Sequence, residues 1–293
     1  GLQEFASSLL HTSRWPKNEI LAGKRVAVVG TGATAVQAIP ELSKSAATLA
    51  VFQRTPIWVT PKPDVPIPRV AQKVFRALPA TQKAARYANS ALIEYLGAGL
   101  LYHRQAPWIL ESLEALSRAH LLLQVRDPKT RRALTPDYDF FCKRPTFSND
   151  YYRCFNRDNV SLVTEPIARI TAAGIITADG VEHEVDAIVL ATGYKLQEPG
   201  NFPAFPIRGR DGKEQGAVWQ AEGYESYEGL TTTGFPNLFA MPSPFSFTGL
   251  SYFYQAEAQM THMRRVITEM RRRSAVTFEA KPLALHEALQ IGT

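Results

Sequence analysis

Apolar and polar stretches near the start of the chain predict a strand, a turn, a helix and a second strand. Arg25–Val29 is a short β-branched run of the kind found in buried parallel strands. Gly30-Thr31-Gly32 interrupts this run, and Ala33 to Ser43 follows a helical pattern that Pro40 should kink. Thr48–Phe52 is a second apolar run and predicts another buried strand. The pattern therefore predicts a β–turn–α–β unit of about thirty residues.

The segments on either side of this unit differ in character. Leu2 to Trp15 has neither a strand nor a helix period, so no regular element is predicted there. Prolines are frequent between Pro56 and Pro68 and predict a rigid, non-helical connection. From Val70 to about Gln124, Leu, Ala, Arg and Gln dominate and β-branched residues are few. This composition predicts an all-helical segment that ends at Thr135-Pro136-Asp137.

Short apolar runs return in the second half of the chain and predict further strands. Asp179-Gly180 stands between two of these runs and predicts a hairpin turn. Loops rich in Pro and Gly are predicted from Pro199 to Pro244, followed by a helix from about Tyr252 to Arg272. The predicted strands are Val160–Val163, Ile167–Ile170, Gly174–Thr177 and Val185–Leu190.

Composition and charge restrict the class of protein. The chain has 293 residues, 45% hydrophobic and 20% charged, which is ordinary for a globular protein with about one to three domains. Its net charge of +6 serves solubility in the simplest interpretation and attracts an anionic ligand, such as a nucleotide phosphate, in the alternative. The basic residues are scattered without an aromatic-interleaved stripe, so nucleic acid is not an expected partner.

Several kinds of site are not expected from the sequence. Cys142 and Cys154 lack a CxxC spacing, so neither a disulfide framework nor a dithiol motif is predicted, and a reducing cytoplasm is the default compartment. The histidines form no H-x-x-x-H pair, so no metal site is predicted, and the absence of G-x-S-x-G argues against a serine hydrolase. No apolar run is long enough to span a bilayer.

The turn after the first strand has the pattern of a dinucleotide-binding motif, Gly30-x-Gly32-x-x-Ala35. Gly30 allows a tight turn, Gly32 allows the backbone to approach a pyrophosphate at the positive end of the helix, and Ala35 allows close packing of helix on strand. The alternative is a plain glycine turn in a doubly wound sheet. Further candidate contacts near the helix start are Thr31, Thr34 and Gln37.

The end of the second strand indicates which dinucleotide is bound. Sites for NAD and FAD usually carry Asp or Glu there, to accept hydrogen bonds from the ribose hydroxyls. This chain has Gln53-Arg54-Thr55 instead, so a carboxylate is absent and a guanidinium is present. Arg54 can bind a 2′-phosphate with two parallel hydrogen bonds. With Thr55 beside it, the segment favours NADPH over NAD, and the alternative is a solvated arginine at a strand end.

A resemblance to a known family begins before this turn. Phe5 to Pro16 resembles the fingerprint F-x-G-x-x-x-H-x-x-x-W-P of type I Baeyer–Villiger monooxygenases, which belong to the flavin-containing monooxygenase superfamily. His11 and Trp15 match the fingerprint, whereas Ser7 stands where the family has glycine, and serine tolerates a positive φ poorly. Other segments resemble the family in the same order along the chain: Val51–Pro56, Cys142–Pro145, Asn149–Tyr152, Ala191–Tyr194 and Gly234–Phe239.

The resemblance implies an enzyme that uses NADPH, FAD and O2 to insert one oxygen atom into a ketone, giving an ester or lactone, or to oxidise a heteroatom such as that of a sulfide. It implies that Arg144 stabilises negative charge during catalysis, with a structural ion pair as the alternative. Lys143 becomes a candidate contact to the NADPH phosphate, or else a solvated surface lysine. His11 would couple cofactor binding to domain movement, and Trp15 would act near the cofactor chiefly as a packing anchor.

Pattern and resemblance together predict an α/β fold. It comprises a Rossmann-like NADPH-binding domain with a parallel sheet, a helical insertion and the C-terminal part of an FAD-binding domain. No FAD-type glycine motif precedes Phe5, so an N-terminal FAD-binding segment is expected to be missing. The alternative function is a truncated, catalytically incompetent NADP-binding fragment, and substrate and oligomeric state stay open. The predicted parts are a fingerprint linker at 1–22, the NADPH-binding domain at 23–65 and 140–190, the insertion at 66–139 and the flavin-domain part at 191–293.

Overall fold

Strands are spread along most of the chain, and they fall into three sheets. The structure is a computed structural model, and it describes residues 1–17, 20–62, 64, 66–194, 205–241, 243 and 252–282. Within these residues the strands are β1 (Ser8–His11), β2 (Arg25–Val29), β3 (Thr48–Phe52), β4 (Val59–Thr60), β5 (Thr146–Phe147), β6 (Val160–Val163), β7 (Ile167–Ile170), β8 (Gly174–Thr177), β9 (Glu182–Glu184) and β10 (Ala187–Leu190).

A five-stranded parallel sheet with the order β1-β10-β2-β3-β6 organises residues 1–193. Strand β2 lies in the middle, and Val26, Ala27 and Val28 are completely buried. Burial on both faces explains why its sequence is continuously apolar rather than alternating. The predicted α/β class with a parallel sheet is confirmed.

The first strand of this sheet was not expected from the sequence. The prediction of no regular element between Leu2 and Trp15 is wrong, because Ser8–His11 forms an edge strand and Leu2–Glu4 forms a 3-10 turn. The register pairs Ser8 with Ala187 and His11 with Leu190, far along the chain. A four-residue edge strand has too few positions to display a period of its own, so its pairing with β10 defines it.

The two faces of the parallel sheet are covered by different layers. Helix α1 (Ala33–Ser45) packs with Val26 and Val28 in one hydrophobic cluster, and its residues Val36 and Ile39 are fully buried. Pro40 lies inside this helix without ending it. On the other face, Ala27 and Ile188 pack against the antiparallel sheet β7-β8-β9 through Ile175. Alternate side chains of each strand therefore enter alternate clusters, as a pleated strand requires.

The predicted helical segment is present but is divided by prolines. It contains α2 (Arg69–Ala77), α3 (Pro79–Leu101) and α4 (Pro107–Gln124), followed by the short α5 (Pro128–Ala133). Pro79, Pro107 and Pro128 each begin a helix, a position where the missing N–H costs nothing. Among the described residues, no helix has both the length and the apolar character that a membrane span needs.

Helix α4 attaches this segment to the rest of residues 1–193. It contacts β4 and the short helix α6 (Tyr151–Cys154). Ser117 Oγ and Thr60 Oγ1 lie 2.9 Å apart, and the His120 ring is hydrogen-bonded through Nε2 to the Ser148 carbonyl at 2.9 Å. Burial lowers the pKa of His120, which keeps its ring neutral near pH 7. These contacts fix the helical segment to the sheet at one end.

The predicted strand Val185–Leu190 is confirmed, but it begins two residues later, at Ala187, and a separate strand that was not predicted precedes it. Glu182–Glu184 pairs with β8, whereas Ala187–Leu190 enters the parallel sheet, so the chain changes sheets at Val185 and Asp186. The Asp186 carboxylate accepts hydrogen bonds at 2.8 Å from both the backbone N–H and the guanidinium of Arg25. These bonds hold the pKa of Asp186 below its ordinary value. The predicted turn at Asp179-Gly180 is confirmed, with Gly180 at φ +84°.

Residues 194–293 form a second compact unit. The expectation of loops from Pro199 to Pro244 is wrong in part, because Gln215–Glu222 forms α7, although 195–204, 242 and 244 lie outside the described residues. Trp219 of this helix is buried and donates from Nε1 to the Glu225 carbonyl at 3.1 Å, so tertiary packing stabilises it. The predicted helix Tyr252–Arg272 is confirmed as α8.

The core of the parallel sheet can be tested by comparing two isoleucines. Ile188 on β10 is completely buried, whereas Ile167 on β7 is 37% exposed. Ile188→Ala should lower the free energy of unfolding by about 2–5 kcal/mol, because it leaves a cavity between two layers. The matched Ile167→Ala should cost less than about 1 kcal/mol. Equilibrium urea unfolding measures both, and equal losses would contradict the layer assignment.

Candidate functional site

The carboxyl ends of β10, β2 and β3 lie side by side at one edge of the parallel sheet. The chain leaves β2 toward β3 on one side, and β10 returns on the other side of β2. This reversal of strand order is a topological switch point, where open α/β sheets bind ligands. The turn after β2, the loop after β3 and the Ala191-Thr192-Gly193 segment after β10 therefore meet at one place.

Gly30 is required at this place by close packing of two backbone segments. Its φ is +105°, and its N–H donates to the Phe52 carbonyl at 3.0 Å. A Cβ at this position would stand 2.6 Å from the Ala191 carbonyl oxygen. Any side chain would therefore force the turn away from the end of β10.

Gly32 has a different role, because it leaves the start of α1 open. No heavy atom lies within 4 Å of the position where its Cβ would stand, and no side chain caps the helix. The exposed Ala33 and Thr34 follow it, and Ala35 is completely buried against the sheet. The unpaired N–H groups and the helix dipole therefore offer a positive end to an anion. Gln37 turns back instead, and its Nε2 donates to the Ala33 carbonyl at 3.1 Å.

The loop after β3 is fixed at two points around Arg54. Thr31 Oγ1 donates to the Thr55 carbonyl at 3.1 Å, which joins this loop to the glycine turn. Gln53 is buried, and its Nε2 donates to the Ala133 carbonyl at 2.7 Å. Arg54 itself is exposed between these anchors. The residue that NAD and FAD sites usually fill with Asp or Glu, just after β3, is therefore an exposed arginine in this structure.

Lys143 and Arg144 lie in a loop that is tied to the segment following Arg54. Trp58 Nε1 donates to the Tyr138 carbonyl at 3.0 Å, and the Tyr138 hydroxyl donates back to the Pro56 carbonyl at 2.9 Å. Just after Arg144, β5 pairs with β4. The Lys143 ammonium lies 4.7 Å from the centre of the Tyr138 ring, and the Arg144 side chain is exposed. Both cations are therefore carried on a loop held by side-chain and strand hydrogen bonds.

His11 ends the edge strand, beside the end of β10. Its Nδ1 accepts a hydrogen bond from the Ser13 N–H at 3.2 Å and lies 2.7 Å from the Ser13 hydroxyl. Trp15, further along, is 40% exposed. Ser7 is not among the non-glycine residues with positive φ, so a serine fits the backbone where the family fingerprint has glycine.

Sequence reasoning gave no role to three residues that position this site. Gln53, Trp58 and Tyr138 hold the two cationic loops in place through the hydrogen bonds described above. The sequence signal for Trp58 was a large aromatic residue within a proline-rich stretch, which suggests an anchor for that stretch. In the structure Trp58 is 1% exposed. Among the described residues, no group of three or more His, Cys, Asp and Glu side chains could hold a metal ion.

Comparison with known proteins shows that the chain is similar to part of several flavin-dependent monooxygenases. No family model matches the chain. A Baeyer–Villiger monooxygenase of Pseudomonas aeruginosa is 38% identical over 284 residues, which are 96% of this chain and 52% of that protein. One from Streptomyces coelicolor is 34% identical over 274 residues, 92% of this chain and 51% of that protein.

Solved structures agree with the sequence relatives. An open form of cyclohexanone monooxygenase matches 99% of this chain and 63% of its own, with a TM-score of 0.82 and 28% identity. Steroid monooxygenase bound to NADP matches 99% of this chain and 62% of its own, with a TM-score of 0.81. The chain spans about half the length of the curated relatives it matches. Over nearly its whole length, it is therefore homologous to about half of a Baeyer–Villiger monooxygenase.

Proposed function

We propose that this chain binds NADPH at the carboxyl edge of its parallel sheet and serves an FAD-dependent monooxygenase. The proposed reaction takes one oxygen atom from O2 and inserts it into a ketone, giving an ester or lactone, or transfers it to a heteroatom. One observation carries the proposal. The open glycine turn and the loop of Arg54 lie side by side, because Thr31 in the turn donates a hydrogen bond to the Thr55 carbonyl next to Arg54. The relatives support the class of reaction, because they include Baeyer–Villiger monooxygenases and a phenazine N-monooxygenase.

The glycine turn fits the pyrophosphate of a dinucleotide. Space beside Gly32 lets the backbone approach the ligand, and the start of α1 supplies N–H donors. Thr34 is exposed in the first helical turn, where its hydroxyl can donate to a phosphate oxygen. Arg54 would hold the 2′-phosphate, since a guanidinium matches the phosphate oxygens and a carboxylate would repel them.

Gly193 indicates where a second ligand would approach. Its φ is +90°, and no heavy atom of the described residues lies within 4 Å of the position of a Cβ. It closes the segment after β10 that resembles the family's crossing toward the flavin. The backbone there is open to close approach by a planar group, so the residues present fit FAD on that side. The reduction and oxygen-transfer chemistry belongs to the bound cofactors.

The protein's own contribution to the reaction is charge and position. Arg144 would place a permanent positive charge toward the reacting oxygen and stabilise negative charge as it develops. Its loop is held by the Trp58–Tyr138 bonds and by β5, so little reorganisation is needed when charge forms. Lys143 would bind a phosphate of NADPH, and His11 lies at the end of β1, beside the end of β10.

We also assign NADPH binding to 23–65 and 140–190, a helical insertion to 66–139 and a flavin-domain part to 191–293.

The two glycines of the turn should respond differently to alanine. Gly30→Ala should lower stability by about 2 kcal/mol or more, because a positive φ and a close contact with the Ala191 carbonyl are both unfavourable. Gly32→Ala should lower stability by only about 1 kcal/mol or less, the cost of alanine at a helix N-cap, yet weaken NADPH binding roughly tenfold or more, since its methyl group occupies the pyrophosphate space. Thermal unfolding and fluorescence titration measure the two effects. Unchanged NADPH affinity in Gly32→Ala would argue against the site.

Arg54→Ala should weaken NADPH binding by about 1–3 kcal/mol, roughly 5- to 150-fold, because a charged hydrogen bond to the 2′-phosphate is lost. NADH affinity should stay the same in this variant. Arg76→Ala, which removes an exposed arginine from α2, is the control and should alter neither affinity. Calorimetric titration compares the coenzymes, and equal affinity of the unmodified chain for both would exclude the proposed role of Arg54.

Arg144→Ala should reduce product formation by about 10²- to 10³-fold in the FAD-loaded protein, the usual effect of removing one electrostatic stabiliser. NADPH affinity and the rate of flavin bleaching by NADPH should remain within about twofold, because Arg144 is proposed to act on the oxygen-transfer step. Product analysis and stopped-flow absorbance measure these separately. A parallel fall in flavin reduction would assign Arg144 to coenzyme binding instead.

A further inference from the structure

A basic cleft of about 550 Å³ lies between the end of α4 and the residues that follow α6. Asn159, just beyond it, donates to the Ser43 and Ala46 carbonyls at the end of α1, and its own carbonyl accepts from the Leu49 N–H at the start of β3. The cleft is therefore near the amino edge of the sheet, whereas the glycine turn is at the carboxyl edge. Its lining residues are His120, Leu123, Gln124, Arg126, Arg153, Asn156 and Arg157.

The cleft is lined by cations. Arg126, Arg153 and Arg157 line it together, no carboxylate lines it, and none of the three forms an ion pair within the described residues. The contact of the Arg157 guanidinium is with a neutral amide, Asn159 Oδ1, at 3.3 Å. Arg153 also contributes to lowering the pKa of His120, after burial, so its positive charge disfavours a second charge on that ring. An anion bound among the three guanidinium groups would reduce their mutual repulsion.

The cleft is also lined by Gln124, whose side chain carries an unsatisfied hydrogen-bond acceptor. Gln124 Oε1 is buried and has no hydrogen-bond partner among the described residues. The surrounding backbone is fixed, because Asn156 Nδ2 donates to the Gln124 carbonyl at 2.6 Å and Asn156 Oδ1 accepts from the Arg126 N–H at 2.9 Å. A buried acceptor without a donor is costly. When the Gln124 side chain turns toward the cleft, a ligand hydroxyl can supply the missing hydrogen bond, whereas the dianion of a phosphate monoester has no proton to donate.

We propose that this cleft is a second binding site, specific for a phosphorylated sugar or nucleoside. The three guanidinium groups would bind the phosphate, and a sugar hydroxyl would donate to Gln124 Oε1. The volume is within the range of small-molecule sites. Leu123, which is 85% exposed, adds apolar surface at the rim for the non-phosphate part of the ligand. This site is independent of the NADPH proposal because it uses different residues at the other edge of the sheet.

Calorimetric titration with ribose 5-phosphate tests the proposal. The unmodified chain should bind it, and the double variant Arg153→Gln/Arg157→Gln should bind it at least about tenfold more weakly, because two charged hydrogen bonds are lost. The matched double variant Arg69→Gln/Arg76→Gln removes two exposed cations from α2 and should bind normally. Arg54→Gln should also bind normally, which separates this cleft from the glycine turn. Retained binding in the Arg153/Arg157 variant, loss of binding in Arg54→Gln, or no binding by the unmodified chain overturns the proposal.

Methyl phosphate, whose dianion has no O–H group, tests the sugar specificity. Ribose 5-phosphate should bind more tightly than methyl phosphate, and Gln124→Leu should remove that difference while leaving methyl phosphate affinity unchanged, because only the hydroxyl contact is lost. Equal affinity of the unmodified chain for the two compounds would overturn the assignment to sugar phosphates. Thermal unfolding of each variant, with a midpoint close to that of the unmodified chain, shows that the substitutions act locally.

Discussion

The close approach of Gly30 to the Ala191 carbonyl is the constraint on which the site at the carboxyl edge depends. Strand β2 is paired on both sides and covered on both faces, so its end cannot shift without disturbing two hydrophobic clusters. The chain must turn immediately after Val29, and only glycine has room for the required φ. This turn sets the start of α1 and hence the place where an anion can meet its N–H groups.

A rigid frame around that turn carries exposed cations. Thr31 is bonded to the loop of Arg54, and Trp58 and Tyr138 bond that loop to the one with Lys143 and Arg144. The frame is made of buried or half-buried groups, while the cations reach solvent. This division suits recognition of phosphates, because the entropy of ordering the loops is lost on folding rather than on binding.

The cations behind the net charge of +6 are not all in the same environment. Cations occur at both edges of the sheet, with Arg54 in the loop after β3 at the carboxyl edge and Arg153 and Arg157 near the amino edge. Arg25 differs from these because Asp186 and Glu184 neutralise it. Within the part of the chain that the structure describes, Arg54, Arg153 and Arg157 form no ion pair with a carboxylate.

Local sequence alone determined the β–turn–α–β unit, the glycine turn, the helical character of the segment after the prolines and α8, because their periods and turn residues are complete within short segments. Only the tertiary structure decided that Ser8–His11 is a strand, that β10 separates from β9, and that Gln215–Glu222 is a helix. Trp58, Tyr138 and the arginine cleft likewise gained their roles from partners up to about eighty residues away. Such elements are stabilised by pairing and burial against distant segments, and a linear pattern does not encode which distant segment will be the partner.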